Sequence, residues 1–372
     1  MQLTIEKTGL VKALGHVASV VERRTTIPIL SNVRLDAKDG ELSLTATDLD
    51  MEIIETVPCQ VKTPGMTTVP AHMIHDIVRK LPDGTEIELA LDGEENRLGI
   101  SCGPAQFFLQ TLSAEDFPSL SVEDLTHRFT LSAKDLKRLI EKTRFAISTE
   151  ETRYYLNGIY LHSLTKDGAE VLRAVATDGH RLAQIELPAP SGATDMPGVI
   201  IPRKAVADLL RLTEDGDEEI ALELSETKIR ATANKTVLTS KLIDGTFPDY
   251  ERVIPQGNDK QLEVDAIAFA KAVDRVSTLS SDKGRAVKLA MEGNKLTLSV
   301  HNPDSGSATE ELPVDYDGDA LEIGFNARYL LDITDQLESG TAEFLLADPG
   351  SPTVARDSGD AAVLYVLMPM RV

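Results

Sequence analysis

Tryptophan is absent, aromatic residues make up only 4% of the chain, and cysteine occurs twice in 372 residues, at Cys59 and Cys102. Stacking platforms for single-stranded nucleic acid need exposed aromatics, so that chemistry is poorly supplied. Two cysteines cannot staple a chain of this size, and they form no paired zinc-ligand spacing. No apolar run approaches the roughly 18 residues that a membrane-spanning helix requires. The opening MQLTIEKTGLVKAL has no basic stretch leading into an apolar core and a cleavage site, so no leader is expected and the expected location is the cytoplasm. Positive charge is also scarce: 38 Lys and Arg face 60 Asp and Glu, a formal charge of −22. Spread evenly, that balance would repel a phosphate backbone.

The chain does repeat itself. Helical apolar spacing runs through 10–24, 133–145 and 265–276, and alternating, strand-like sequence follows each time. A second helical pattern starts at Val69, Ile201 and Phe325, and more strands follow it. Pro70 and Pro202 suit a helix start, where the missing N–H costs little. The first two units close on related tails, AEDFPSL (114–120) and DGTFPDY (244–250). Asp-Gly pairs at 39–40, 83–84, 92–93, 167–168, 178–179, 215–216, 244–245 and 317–318 punctuate the chain, several of them placed as hairpin turns. The expected class is α+β: three repeated domains, 1–126, 127–258 and 259–372, each of two helices packed on antiparallel sheets.

Charge is unevenly divided between these elements. The six expected helical segments hold 16 Lys and Arg against 9 Asp and Glu, a net +7, leaving −29 for everything else. Six helices facing one way would make a basic face on an acidic protein, suited to sequence-independent contact with phosphates.

Eight ordered stretches give the chain a resemblance to the β subunit of bacterial DNA polymerase III, the sliding-clamp family: TIPILSNV (26–33), TATDLDMEI (45–53), RYYLNG (153–158), ATDGHRLA (176–183), VIIPRKAV (199–206), SKLIDGTFPDYERVIP (240–255), EIGFNARYLLD (322–332) and YVLMPMRV (365–372). The resemblance implies a head-to-tail homodimer, a ring around double-stranded DNA without sequence preference. Its partners would be the polymerase III catalytic subunit, the clamp loader and other proteins carrying a clamp-binding motif. It implies no cofactor and no catalysis.

Residue by residue, the resemblance puts a partner-peptide groove at Leu156, Thr177, Gly179, His180, Arg181, Leu182, Pro248, Arg252, Val253, Val366, Leu367, Met368, Pro369 and Met370. DNA contacts fall on Arg24, Arg153, Tyr154, Tyr155, Arg203 and Lys204, to which the helix charge count adds Lys137, Arg138 and Lys142. Phe107, Leu109 and Leu279 match apolar dimer-interface positions, and Glu310-Glu311 could face a basic edge. The facing strand, however, reads LGISCGPAQFF (98–108), without the arginines the family leads one to expect.

Two other functions compete. A repeat-built scaffold would bind peptides without encircling DNA. A hydrolase could be centred on Asp178 and His180. Thr47-Asp48 occupies the equivalent place in the first repeat without a histidine, which favours a repeated structural turn. His72 and His75 have helical i, i+3 spacing but no further ligands in pattern, so no metal site is expected.

Overall fold

The computed structural model describes residues 1–120, 125–214, 219–280 and 285–371. The Asp215-Gly216 pair and Val372 lie outside them. The chain folds into two compact units, and the expected central domain contributes to both. The α-helices are α1 (Lys7–Ala18), α2 (Ala71–Lys80), α3 (Ala133–Arg144), α4 (Arg203–Leu212), α5 (Ala266–Ser277) and α6 (Ala327–Thr334).

Unit 1 comprises Met1–Leu136, Pro190–Ala193 and Lys204–Leu242. Its five-stranded sheet runs Gln60–Thr63, Gln2–Glu6, Glu86–Asp92, Arg97–Cys102, Ala105–Gln110. Its eight-stranded sheet runs His127–Ser132, Glu219–Leu224, Lys228–Ala233, Thr236–Lys241, Met51–Pro58, Glu41–Thr47, Asn32–Lys38, Gly65–Pro70. Apolar residues alternate with polar ones along Glu41–Thr47, burying Leu42, Leu44 and Ala46, while Leu10, Leu14 and Val17 of α1 recur at helical spacing on the inner face. Asp39 and Gly40 both take positive φ, 52° and 80°, as a two-residue type I′ hairpin requires. Asp83-Gly84 is no hairpin; it links α2 to the strand Glu86–Asp92.

The expected first helix is shifted. It begins at Lys7, whose ammonium meets Asp83 at 2.6 Å, and stops at Ala18. Ser19 Oγ donates to the His16 carbonyl, and Val20 and Val21 turn into the core, which leaves Arg23 and Arg24 on an exposed loop. Within their true bounds the six helices carry 15 Lys and Arg against 6 Asp and Glu, a stronger asymmetry than the sequence pattern implied.

Unit 2 comprises Lys137–Ala189, Thr194–Arg203 and Ile243–Val372. A nine-stranded sheet runs Val199–Pro202, Gly158–Lys166, Ala169–Thr177, Arg181–Pro188, Asp360–Leu367, Thr353–Asp357, Thr341–Leu346, Lys260–Asp265, Asp315–Asp317. A four-stranded sheet runs Gly306–Pro313, Lys295–Asn302, Ala286–Glu292, Leu321–Asn326. Asp265 and Asn326 cap α5 and α6 by accepting from the Ala268 and Arg328 N–H groups.

One arrangement occurs in both units. The last strand of one repeat pairs with a strand of the repeat before it: Thr236–Lys241 with Met51–Pro58 in unit 1, and Asp360–Leu367 with Arg181–Pro188 in unit 2. The corresponding strands at the two ends of the chain, Ala105–Gln110 and Gly306–Pro313, each stand at the open edge of their sheet.

Candidate functional site

Unit 2 gathers the expected groove residues around two crossing segments. In the hairpin between Ala169–Thr177 and Arg181–Pro188, Thr177 Oγ1 accepts from the Gly179 N–H and donates to the Arg181 carbonyl. Asp178 Oδ1 accepts from the N–H groups of His180 and Arg181. The C-terminal strand lies alongside, with Leu182 opposite Val366 and Arg181 opposite Leu367. Beyond it, the Met368 N–H donates to the His180 carbonyl at 2.9 Å, and the Met370 N–H to the Gly324 carbonyl at 2.8 Å.

Below this surface lies a buried cluster of Leu156, Val175, Leu182, Ile200, Phe247, Tyr250 and Val366. Phe247 and Tyr160 stack with centroids 4.8 Å apart. Arg173 is buried between Glu186 and Glu251, both at 2.5 Å, and donates to the Tyr250 hydroxyl, which also meets His162. Burial pushes the Tyr250 phenol up to about 12, against the pull of Arg173. Burial also works against the charge of Arg173, but Tyr250, Glu251 and Glu186 hold its guanidinium firmly protonated. Burial and the charge of Arg173 push the His162 pKa down, favouring its neutral form. The closing tail DGTFPDY supplied the signal for Phe247 and Tyr250, which the residue-by-residue reading left out.

The groove residues divide by exposure. Val253 and Met368 are open to solvent, 48% and 41% exposed, with Gly179, His180, Pro248 and Arg252 around them. Thr177, Pro369 and Met370 are half-buried. Leu156, Leu182 and Val366 are buried in that cluster, beneath the surface residues, whereas Leu367 is buried one position further along the strand and so faces the other side of the sheet. Arg181 departs from the expected role as a donor to a peptide backbone. It is buried, its nitrogens are taken by Asp178, Asp332 and the Phe145 carbonyl, and its guanidinium lies over the rings of Phe145 and Tyr329. Arg252 is exposed and pairs with Asp249 at 2.5 Å.

The residues expected on DNA do not behave alike. Arg24 and Arg203 are exposed, and neither side chain has an ion-pair partner among the described residues. Lys204, in unit 1, is held by the Val20 carbonyl, Glu22 and Asp48 at 2.9, 2.6 and 2.5 Å. Burial would lower its pKa, but the bonds to Asp48 and Glu22 prevail and raise it. Arg153 grips Glu150 through two nitrogens and reaches over the groove hairpin; a Cβ on Gly179 would stand 2.5 Å from its Nη1. Tyr154 is exposed, whereas Tyr155 packs on the groove cluster. Lys142 points inward to the Gln336 carbonyl and Glu338, and Arg138 pairs with Asp360, so these two charges are already answered in unit 2. Lys137 is exposed, 4.0 Å from Glu141.

Among the expected interface positions at the two ends of the repeat series, Phe107 is exposed, Leu109 is buried in its own sheet and Leu279 is half-buried after α5. Glu310 and Glu311 already have partners, Arg275 at 2.5 Å and Lys295 at 3.1 Å.

The hydrolase reading has no chemistry left. Asp178 spends Oδ1 on the backbone and Oδ2 on Arg181, and the same turn recurs in unit 1, where Thr47 bonds Leu49 and Met51 and Asp48 bonds Asp50 and Met51. No group of three or more His, Cys, Asp or Glu among the described residues could hold a metal, and His72 bonds the Val21 carbonyl.

Three family models cover the chain in order: the N-terminal, central and C-terminal domains of the DNA polymerase III beta subunit match residues 1–121, 130–249 and 251–371. The beta sliding clamp of Caulobacter vibrioides is 56% identical over 372 residues, the whole of both chains. A Caulobacter crescentus beta sliding clamp structure superposes with a TM-score of 0.98 at 56% identity, covering 100% of this chain and 99% of the other. A Bartonella birtlesii clamp bound to griselimycin gives 0.97 at 54% identity, covering both chains fully.

Proposed function

The chain belongs to the beta-subunit family of bacterial DNA polymerase III, the sliding clamps, and from that premise we propose how its residues share the work of a processivity factor. Its role in the polymerase holoenzyme is non-catalytic. Two copies join head to tail, with domains at 1–126, 127–258 and 259–372, and close a ring on duplex DNA.

The observation that carries this reading is the pair of open edges. Among the described residues, the other two joints between repeats are strand-to-strand pairings, and Ala105–Gln110 and Gly306–Pro313 are the corresponding strands without one. A bare edge invites another chain, and two complementary ones on a single chain close a ring when the rotation is right. The basic helices contact phosphates weakly while topology supplies residence, so a protein of charge −22 can stay on DNA. Among the cations, exposed Arg24 and Arg203 are the leading contacts, and exposed Tyr154 is the leading aromatic one. Arg153 and Tyr155 belong with the groove.

On unit 2, the exposed Val253 and Met368 take the apolar anchors of a short peptide, and Thr177, His180 and the backbone near Gly179 take its polar groups. The partners are the polymerase III catalytic subunit, the clamp loader and other proteins with such a segment. The decisive experiment compares retention on nicked circular and linear duplex of equal length after assisted loading. A ring stays on the circle and slides off the linear form. Equal retention on both would favour a scaffold that binds without encircling.

A further inference from the structure

The family reading leads one to expect charged pairs across the seam between protomers. We propose instead that this chain's seam is held at helix level by Met73 packing and by a hydrogen bond from the partner's Thr278 to Asp76. The inference rests on the head-to-tail reading above and assigns residues that reading leaves open.

The argument comes from superposing repeats within the chain. The first helices α1, α3 and α5 are each 12 residues long, so the residues that follow them, Ser19, Phe145 and Thr278, correspond. The second helices start at Ala71, Arg203 and Ala327, so Met73 corresponds to Ala205, and Asp76 to Asp208 and Asp332. In unit 1 the joint is intact. Ala205 is 1% exposed, Asp208 is 2% exposed, and Ser19 Oγ donates to Asp208 at 2.7 Å while also reaching the His16 carbonyl. Arg211, three residues on, completes the shell of Asp208.

The chain ends carry both halves of that joint, unassembled. Met73 is 54% exposed, and Asp76 already pairs with Arg79, three residues on, at 3.1 Å. Thr278 is exposed, and its hydroxyl donates to the Asp274 carbonyl one turn back, much as Ser19 does in its own joint. Burying Asp76 needs a second donor, and Thr278 is the residue the repeat puts there.

The strands give the same alignment. Met51–Pro58, Arg181–Pro188 and Gly306–Pro313 are all eight residues long and end in proline. The pairings Leu238 with Ile53 and Tyr365 with Ala183 therefore put Phe107 opposite the partner's Ala308. Leu238 and Tyr365 are buried in their joints, whereas Phe107 is 37% exposed.

Sedimentation equilibrium of the full chain tests this. Met73→Asp should weaken the dimer at least about tenfold, as expected for a desolvated anchor. Asp76→Ala and Thr278→Val should each weaken it about tenfold, and the double variant no further, because both remove one bond. The wild-type dimer constant should change by less than about threefold between low and moderate salt, since the seam is not ionic. A wild-type dimer indifferent to Met73→Asp, additive losses in the double variant, or a steep salt dependence would overturn the inference and leave the ring intact. A wild-type chain that is monomeric at micromolar concentration would overturn both the inference and the ring. Met73 and Asp76 are exposed in the protomer, so circular dichroism of the monomeric variants should match that of the wild type, with the melting temperature lower only by what the lost association contributed.

Discussion

The turns at Thr47–Met51 and Thr177–Arg181 share one set of backbone bonds and serve different ends. Each uses a threonine hydroxyl and one aspartate oxygen to fold five residues. In the first, the second carboxylate oxygen of Asp48 holds Lys204. In the second, that of Asp178 holds Arg181, a buried cation that Asp332 also grips, and Gly179 and His180 are left exposed beside Met368. On the proposed reading, a repeated device thus becomes a binding site through its neighbours, not through its own hydrogen bonds.

Three experiments would break or sharpen that contrast. The largest effect belongs to Met368→Glu, which puts a charge among the exposed apolar residues of the second turn. Binding of a Gln- and Leu-rich hexapeptide, itself only on the order of micromolar because few side chains are buried, should fall below detection by calorimetry while the dimer mass is unchanged. Retained affinity would place the docking surface elsewhere. Next comes the pair Asp178→Ala and Asp48→Ala. Each strips two backbone bonds and one charged partner, and should cost about 2–3 kcal/mol in chemical denaturation. Only Asp178→Ala should weaken the peptide, by about tenfold, because only its turn bears the groove; equal effects on the peptide would erase the distinction. The smallest pair tests the backbone. Leu49 and Gly179 hold the same left-handed position at φ 78° and 87°. Leu49→Gly should stabilise by about 1 kcal/mol by releasing strain, whereas Gly179→Ala should destabilise by at least as much, since its Cβ also meets Arg153. Melting temperatures that move together would contradict the shared conformation.

Much of this was legible in the sequence, for identifiable reasons. Repeats, alternating strands and the Thr-Asp turn are local patterns, and local patterns survive in a single chain. The end of α1 was hidden because Val17, Val20 and Val21 keep a helix-like apolar spacing after the helix has stopped. The inward turn of Lys142 and the capture of Arg181 by Asp332 depend on partners 150 or more residues away, which periodicity does not reach. Arg153 sits at a kink in the 3-10 turn Glu151–Leu156, whose direction no spacing rule gives. Met73 is 54% exposed where its counterpart Ala205 is 1% exposed, a difference that helical spacing does not carry.

The pairing of Met51–Pro58 with Thr236–Lys241 also has a consequence during synthesis. The two strands are separated by most of two domains of sequence, so the first half of the eight-stranded sheet cannot be completed when it leaves the ribosome. At translation speeds of about 5–20 residues per second, its edge stays bare for roughly ten to forty seconds before Lys241 arrives. The bare edge is Met51–Pro58, where Glu52 and Glu55 are interspersed with Met51, Ile53, Ile54 and Val57. Those two acidic residues, buried once the sheet is complete, are well placed to keep nascent chains from pairing with one another while they wait.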